Sequence, residues 1–252
     1  MLMVRIIPVL LLENGRMVKT IRFENTREVG NPSTAVRVYN AQGADEIIFL
    51  NIDSKEGLTD SFLDIIEKAA SEAFIPLTAG GGIKHIDDIT KLLQIGADKI
   101  SLNSVAIVNP DFIRKASEKF GKNCIVISID VKKINGDYFV FSNRGTVNTG
   151  LDPVKFAKKC EDLGAGEILL SSIDKDGTMT GYDLDLLKVV TNAVGINVIA
   201  NSGVGNLNHF TEAIAQCKSN ALAASSIYHF TDQHIIKVKS YIGSNGYQIR
   251  TT

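Results

Sequence analysis

A single aspartate at the end of an apolar run is the strongest catalytic candidate in this sequence. Asp130 closes the run "CIVISI", and a carboxylate in apolar surroundings can have a raised pKa and act as a general acid or base. Asp174 and Asp176, in "SSIDKDGT", are secondary candidates. Lys19 follows the apolar run "IIPVLLL" and a Gly-containing turn. We expect Lys19 to reach over an anionic substrate from a mobile loop.

Glycine-rich and small polar segments occur as two matched pairs. "AGGGI" (79–83) and "LNS" (102–104) correspond to "NSGVG" (201–205) and "AAS" (223–225). Glycine lets the backbone approach a ligand closely, and successive free N–H groups attract an anion. Asp176–Gly177 completes the second pair. We therefore predict two phosphate sites, and hence a ligand with two phosphates or one long phosphorylated ligand.

Four charged residues stand at the opposite ends of predicted strands. Arg5, Glu46, Lys99 and Glu167 each begin an apolar run. Ionised groups that bracket an apolar core are costly unless they are paired, so we expect a ring of ion pairs. Such a ring serves either as a stabilising plug or as a gate through which a small molecule enters.

The elements that must position these residues alternate regularly along the chain. Continuous apolar runs are typical of parallel strands that are covered on both faces, and segments of helical period separate them. The eight runs are "VRIIPVLL", "EIIFLNI", "FIPLTA", "KISLN", "CIVISID", "EILLSSI", "INVIAN" and "NALAAS". Eight strands alternating with helices in 252 residues predict an α/β protein with a (β/α)₈ TIM barrel. A doubly wound open sheet is the alternative.

An internal repeat supports the barrel. "GADEIIFLNIDSKEG" from Gly43 matches "GAGEILLSSIDKDGT" from Gly164, and 164 − 43 = 121. We predict one barrel domain over residues 1–252, built from two duplicated half-barrels of about 1–121 and 122–252. Strands one and five are then equivalent, which sets Leu11 beside Asp130. In such barrels the working face is the C-terminal end of the strands.

Net charge and the numbers of cysteines and histidines indicate which partners and ligands to expect. The formal net charge of −1 gives no general attraction to nucleic acid or an anionic membrane. Three scattered cysteines predict reduced thiols and a cytoplasmic protein, and the first apolar run is too short to cross a membrane. The four histidines lack the spacing of metal ligands. We predict no metal, no cofactor, no nucleic acid and no membrane partner.

Motifs along the whole chain identify a family. "RIIP", "NGRMVK", "GADEIIFLNID", "PLTAGGGI", "GADKISLNS", "GAGEILLSSIDKDGT" and "ALAAS" resemble the cyclase subunit of imidazole glycerol phosphate synthase. The resemblance implies a (β/α)₈ barrel that forms a heterodimer with a glutamine amidotransferase. Ammonia from that partner would pass through the barrel to a phosphorylated substrate. In histidine biosynthesis the products are imidazole glycerol phosphate and an aminoimidazole carboxamide ribotide.

Most functional positions of the family carry over to this sequence. The resemblance implies that Asp130 is catalytic, that Lys19 contacts the substrate anion, and that Asp98 faces the amidotransferase. The ammonia gate falls on Arg5, Glu46, Lys99 and Glu167. The phosphate sites fall on Gly82, Asn103 and Ser104, and on Gly177, Gly203, Ala224 and Ser225.

One catalytic position departs from the family pattern. "PCLDVKDGR" appears here as "PVLLLENGR", which places Leu11 where a catalytic aspartate is expected, and Asn51, Asn201 and Ser202 also differ at the same mouth. Leucine cannot transfer a proton. The "IPVLLL" version resembles a paralogous branch associated with amidination of a nucleotide-activated sugar for surface polysaccharide. The alternatives are the histidine-pathway cyclase and a non-catalytic ammonia conduit or scaffold.

Overall fold

The fold is a closed parallel barrel with surrounding helices, in a computed structural model that describes residues 3–53 and 57–250. Within these ranges twelve strands form one sheet, β1 Arg5–Glu13, β2 Arg16–Ile21, β3 Glu24–Gly30, β4 Ile47–Asn51, β5 Leu77–Gly80, β6 Lys99–Leu102, β7 Ile125–Ile134, β8 Asp137–Ser142, β9 Val147–Asn148, β10 Glu167–Ser172, β11 Asn197–Asn201 and β12 Ala221–Ala224.

Helices connect the parallel strands on the outside. Their bounds are α1 Pro32–Ala41, α2 Asp60–Glu72, α3 Ile86–Gln94, α4 Ser104–Val108, α5 Asp111–Phe120, α6 Pro153–Asp162, α7 Leu184–Thr191, α8 Asn208–Cys217, α9 Ser226–Phe230 and α10 Ile235–Ser244, and a 3₁₀ turn spans Lys122–Cys124. N-cap side chains define where several of these helices begin. Asn31 accepts the Thr34 N–H before Pro32, and Asp152 accepts the Lys155 N–H before Pro153.

Eight strands close the barrel. The parallel order is β1, β4, β5, β6, β7, β10, β11 and β12, and β12 pairs with β1 to complete the circle. This closure confirms the predicted barrel and excludes the open sheet. All eight predicted strands are present. One core packs between the barrel and the helices, and a second fills the barrel interior with residues such as Ile7, Val126, Leu169 and Ala223.

Two antiparallel hairpins extend the barrel above its C-terminal face. β1 folds back onto β2 at Asn14–Gly15, and β7 folds back onto β8 at Asn135–Gly136, all four with positive φ as two-residue hairpin turns require. The second hairpin was predicted from its "NG" pair. The first was not, and the expected mobile loop around Lys19 is wrong, because residues 16–30 form β2 and β3.

Across the described part of the chain, no helix is both long and apolar enough to cross a membrane. The three cysteines are unpaired, and Cys160 and Cys217 are buried in the outer core. Burial raises the pKa of both thiols.

Candidate active site

A cavity of about 870 Å³ opens at the C-terminal ends of the barrel strands. This is the end where the barrel fold places active sites, and the volume suits a small-molecule ligand. The structure brings together there Leu11, Lys19, Asp130 and Asp176, and every residue predicted for the two phosphate sites, which are Gly82, Asn103, Ser104, Gly177, Gly203, Ala224 and Ser225.

Asp130 has the environment of an acid–base group. It lies on β7, and Asn103 Nδ2 donates to its Oδ2 at 3.1 Å while Ser128 Oγ lies 3.4 Å from Oδ1. Burial raises the pKa of Asp130 to about 7, with the charge of Asp176 adding to the shift and hydrogen bonds from Ser171 and Ser128 opposing it. A pKa near neutrality lets one carboxyl group both accept and donate a proton at physiological pH.

Leu11 occupies the matching position in the other half of the barrel. Leu11 pairs in register with Leu50 on β4, and Asp130 pairs with Ser171 on β10, where 171 − 50 = 121. Leu11 and Leu50 are partly buried and pack against the inner core, to which Val9 belongs. One half of the mouth is therefore apolar at the height where the other half carries a carboxylate.

Lys19 lies in β2 and is held in an ion pair. Its Nζ is 2.6 Å from Asp176 Oδ1, and both side chains are buried. Asp176 also accepts hydrogen bonds from Thr20 Oγ1 at 2.6 Å and from the Phe23 N–H at 3.3 Å. Asp176 thus fastens the first hairpin to the loop after β10, and it positions Lys19 at the cavity wall.

Glycine is sterically required at both predicted phosphate sites. A Cβ on Gly82 would lie 2.4 Å from the Gly57 carbonyl oxygen, and one on Gly203 would lie 2.1 Å from that of Gly181. Both glycines have positive φ. Any side chain here would displace the neighbouring loop, so the bare backbone remains the lining of the cavity.

The polar side chains at the two sites differ in their partners. In the first site, Asn103 binds Asp130 and the Ser128 carbonyl, and Ser104 binds Asn103. In the second site, the buried Ser225 hydroxyl has no hydrogen-bond partner within the described residues. A ligand oxygen would supply the partner that this hydroxyl lacks.

The four predicted charged residues form the expected ring at the opposite end of the barrel. Lys99 Nζ lies 2.9 Å from Glu46 and 2.7 Å from Glu167, and Arg5 bonds Glu46 at 3.1 Å and also Glu167. Thr78 donates to Glu46 at 2.8 Å. Burial of Glu167 opposes its ionisation, but Arg5 and Lys99 outweigh that effect and lower its pKa.

The two remaining predicted residues, Asp174 and Asp98, also lie outside the cavity. The Asp174 carboxylate accepts the Lys133 N–H at 2.8 Å and anchors the second hairpin, and Asp53 holds the Asn14 N–H of the first hairpin in the same way. Asp98 is exposed at the N-terminal end of the strands, and its carboxylate accepts the Leu77 N–H at 2.8 Å. Asp98 is therefore at the end that carries the ion-pair ring.

The hairpin turns contribute residues that sequence reasoning missed. Arg144 lines the cavity and pairs with Glu13 at 2.9 Å, and Asn143 meets Ser104 through its backbone N–H at 3.3 Å. Phe23, between β2 and β3, also lines the cavity, and a Cβ on Gly145 of this turn would lie 3.0 Å from the Phe23 ring. The only signal in the sequence was the polar turn "SNRG", whose distance from the mouth depends on how the hairpin folds back.

Among the described residues, no group of three or more histidine, cysteine or acidic side chains is arranged to hold a metal ion. A family model described as "Histidine biosynthesis protein" matches residues 5–232. The matched region begins at Arg5 of the ion-pair ring and includes both phosphate sites and Asp130.

Proposed function

Because this chain belongs to the histidine biosynthesis protein family, whose members are isomerase- or cyclase-type barrel enzymes, we propose that it is an ammonia-using barrel subunit of the imidazole glycerol phosphate synthase type. It would receive ammonia from a glutamine amidotransferase partner and use it on a substrate that carries two phosphates. Leu11 favours a paralogous reaction, the amidination of a nucleotide-activated sugar for surface polysaccharide.

The observation that carries this proposal is the ring of alternating charges at the end of the barrel opposite the cavity. Arg5 and Lys99 each bridge both Glu46 and Glu167, so the four groups span the barrel axis. A reaction confined to the cavity does not require charged groups at the far end. A subunit that admits a small polar molecule along its axis does require an opening there, and a ring held by side chains can open without unfolding the barrel.

The partner would dock around this ring. Asp98 precedes Lys99 and is exposed on the same face. A complex formed here keeps ammonia out of bulk water, where at neutral pH it would be protonated and would no longer be a nucleophile. The arrangement supports a glutaminase on one face and an acceptor substrate on the other.

The cavity supports a two-phosphate substrate with one acid–base group. The glycine sites at Gly82 and Gly203 come from opposite halves of the barrel, and Asp130 lies among the lining residues with them. Replacement of a carbonyl oxygen by ammonia moves two protons, each removed from the attacking nitrogen and delivered to the oxygen, which leaves as water. Asp130, with a pKa near 7, can perform these two steps in succession.

Cyclisation with two cooperating carboxylates is poorly supported here. Among the described lining residues the acidic side chains are Asp130 and Asp176, and Asp176 is already paired with Lys19. The histidine-pathway alternative must therefore route its second proton transfer through Asp130 and a water molecule. A third alternative, a conduit that binds and activates the partner without acting on substrate, is favoured only by Leu11.

Complementation of a histidine auxotroph that lacks the cyclase subunit tests the specific reaction. We expect no growth from the parent chain, whereas robust growth would overturn the amidination proposal and favour the histidine-pathway cyclase. A parallel assay measures glutaminase activity of a co-expressed amidotransferase with and without the barrel. Stimulation that persists in Asp130→Asn, together with unchanged pathway output, would favour the conduit. Absence of any stimulation would contradict ammonia transfer.

A further inference from the structure

Ser202 has a backbone conformation that normally requires glycine. It follows β11 with φ 80°, in the left-handed region, and the residue is 7% exposed. Residues other than glycine that adopt such a conformation are strained, and they are concentrated at functional sites. Ser202 also lines the 870 Å³ cavity beside Gly203.

The equivalent position in the first half of the barrel is a glycine. Gly81 has φ 96°, and 202 − 81 = 121, the offset of the internal repeat. A Cβ on Gly81 would lie 1.9 Å from the Asn51 carbonyl oxygen, so no side chain fits there. The second half accommodates a side chain at this point, although a glycine would adopt the same backbone without strain.

The Ser202 hydroxyl has no hydrogen-bond partner within the described part of the chain, and neither does the nearby Ser225 hydroxyl. In the first half, Asn103 and Ser104 already have protein partners. A buried hydroxyl that lacks a partner destabilises the free protein, and a ligand oxygen would remove that penalty on binding. The second phosphate site therefore has two such hydroxyls, and in the first half the Ser101 hydroxyl at the cavity wall is also buried without a partner among the described residues.

We propose that Ser202 is a specificity-determining residue of the second phosphate site, where its hydroxyl donates a hydrogen bond to a phosphate oxygen of the substrate together with Ser225. Phosphate is suited to this donor pair because each of its oxygens accepts hydrogen bonds from several directions. The inference rests on the proposed function only in taking a phosphorylated ligand at this site. It does not depend on which ammonia acceptor is used.

Titration of the full chain with inorganic phosphate tests the role of Ser202. Amide NMR shifts of residues 81–83 report the first site, and those of residues 203–205 report the second. We expect Ser202→Ala to weaken phosphate binding at the second site about tenfold and to leave the first site unchanged. Ser202→Gly removes the same hydroxyl and also the backbone strain. It should show the same loss of affinity with a higher thermal unfolding midpoint than Ser202→Ala.

Lys218→Gly is the matched control for strain alone. Lys218 also has a positive φ, 55°, but it is exposed beyond α8 and does not line the cavity. This variant should raise the unfolding midpoint without changing phosphate binding. If both Ser202 variants bound phosphate at the second site as the parent does, the proposal would be overturned while the phosphate site itself stood. If the parent showed no phosphate binding at residues 203–205, the site and the role of Ser202 would both be wrong.

Discussion

Leu11 and Asp130 lie at equivalent heights on opposite sides of the barrel mouth. Leu11 is in register with Leu50, and Asp130 with Ser171, and these two partners are separated by the repeat offset of 121 residues. The two strands carry equivalent hairpins, each anchored by a carboxylate, Asp53 or Asp174, on a backbone N–H. The scaffold is thus nearly symmetric, whereas the carboxyl group with the raised pKa, Asp130, lies in one half only of the described mouth.

Asp130→Asn should remove activity and stabilise the protein above neutral pH. The folded-state pKa of Asp130, about 7, is higher than the value near 4 expected when the chain is unfolded. The native protein therefore binds more protons between pH 4 and 7, and the stability contributed by protonated Asp130 is lost as the pH rises through 7. Because the side chain is partly exposed, we expect Asn to raise the free energy of unfolding by about 2 kcal/mol at pH 8 and by nearly nothing at pH 4.

Urea unfolding at the two pH values measures this difference. Ser142→Ala, at a buried polar position on β8 outside the cavity lining, provides a control whose effect should not depend on pH in this way. Equal effects of Asp130→Asn on the free energy of unfolding at pH 4 and pH 8 would show that ionisation of Asp130 does not destabilise the folded protein. Turnover should fall at least about 10²-fold, as is usual when a general acid or base is removed.

Leu11→Asp should introduce a carboxylate opposite Asp130. The new group would lie against Val9 and Leu50, so we expect a loss of about 1–3 kcal/mol in stability from burying a polar group. If the chain retains the cyclisation chemistry in a weakened form, Leu11→Asp should improve growth of the histidine auxotroph.

Leu11→Asn is the control for Leu11→Asp, because the asparagine side chain has the same shape as that of aspartate but cannot transfer a proton. Growth with Asp but not with Asn would assign the effect to proton transfer. Growth with neither variant would indicate that other parts of the mouth, such as Asn51 and Asn201, also exclude the histidine-pathway reaction.

Lys99→Met should unbalance the ion-pair ring. Among the described residues, Glu46 and Glu167 would then have Arg5 as their one remaining cationic partner. We expect a loss of about 1–3 kcal/mol, less than for a fully buried pair because the Lys99 side chain is 18% exposed. The double variant Lys99→Met with Glu167→Gln restores charge balance and should recover part of that loss. A double-mutant cycle from thermal unfolding gives the coupling energy. Strictly additive effects would argue against an interacting ring.

Lys99→Met also distinguishes ammonia released from glutamine by the partner from ammonia supplied as a salt in solution. With the amidotransferase partner, glutamine-driven turnover should fall several-fold, while turnover driven by added ammonium salt should remain close to that of the parent. An equal loss with both sources would mean that the ring supports the fold and does not control entry.

Lys19→Met should leave Asp176 with a buried, unpaired charge. Asp176 would keep its hydrogen bonds from Thr20 and Phe23, but we expect a loss of about 2–4 kcal/mol because the ion pair is buried. Lys19→Met combined with Asp176→Asn should be more stable than Lys19→Met alone.

His229 provides an independent reporter for the charge of Lys19. Burial, together with the positive charge of Lys19, lowers the pKa of His229 to about 4. Removing that charge should raise the pKa of His229, which NMR titration of the imidazole measures directly. An unchanged pKa would show that Lys19 is too far from His229 to affect it.

Much of the architecture was predictable because it depends on local patterns. The apolar runs that became β7 and β10 are continuous, as strands covered on both faces require, and they were identified within a few residues of their observed bounds. The position of Lys19 was not predictable in the same way. β2 is buried at four consecutive positions and β3 is mostly exposed, so neither shows the alternation typical of a strand, and the pairing of β2 depends on the turn at Asn14–Gly15.

The sequence by itself determined the barrel, the internal repeat, the four charges at strand starts and the equivalence of Leu11 with Asp130, because each follows from residue type and spacing along the chain. Only the tertiary structure decided which of these groups meet. It separated Asp174 from the cavity and paired Lys19 with Asp176, since these outcomes depend on contacts between residues that are 41 and 157 positions apart in the chain. Within the described residues it also left the hydroxyls of Ser202 and Ser225, and that of Ser101 in the first half, without hydrogen-bond partners. Packing determines whether a buried hydroxyl finds an acceptor.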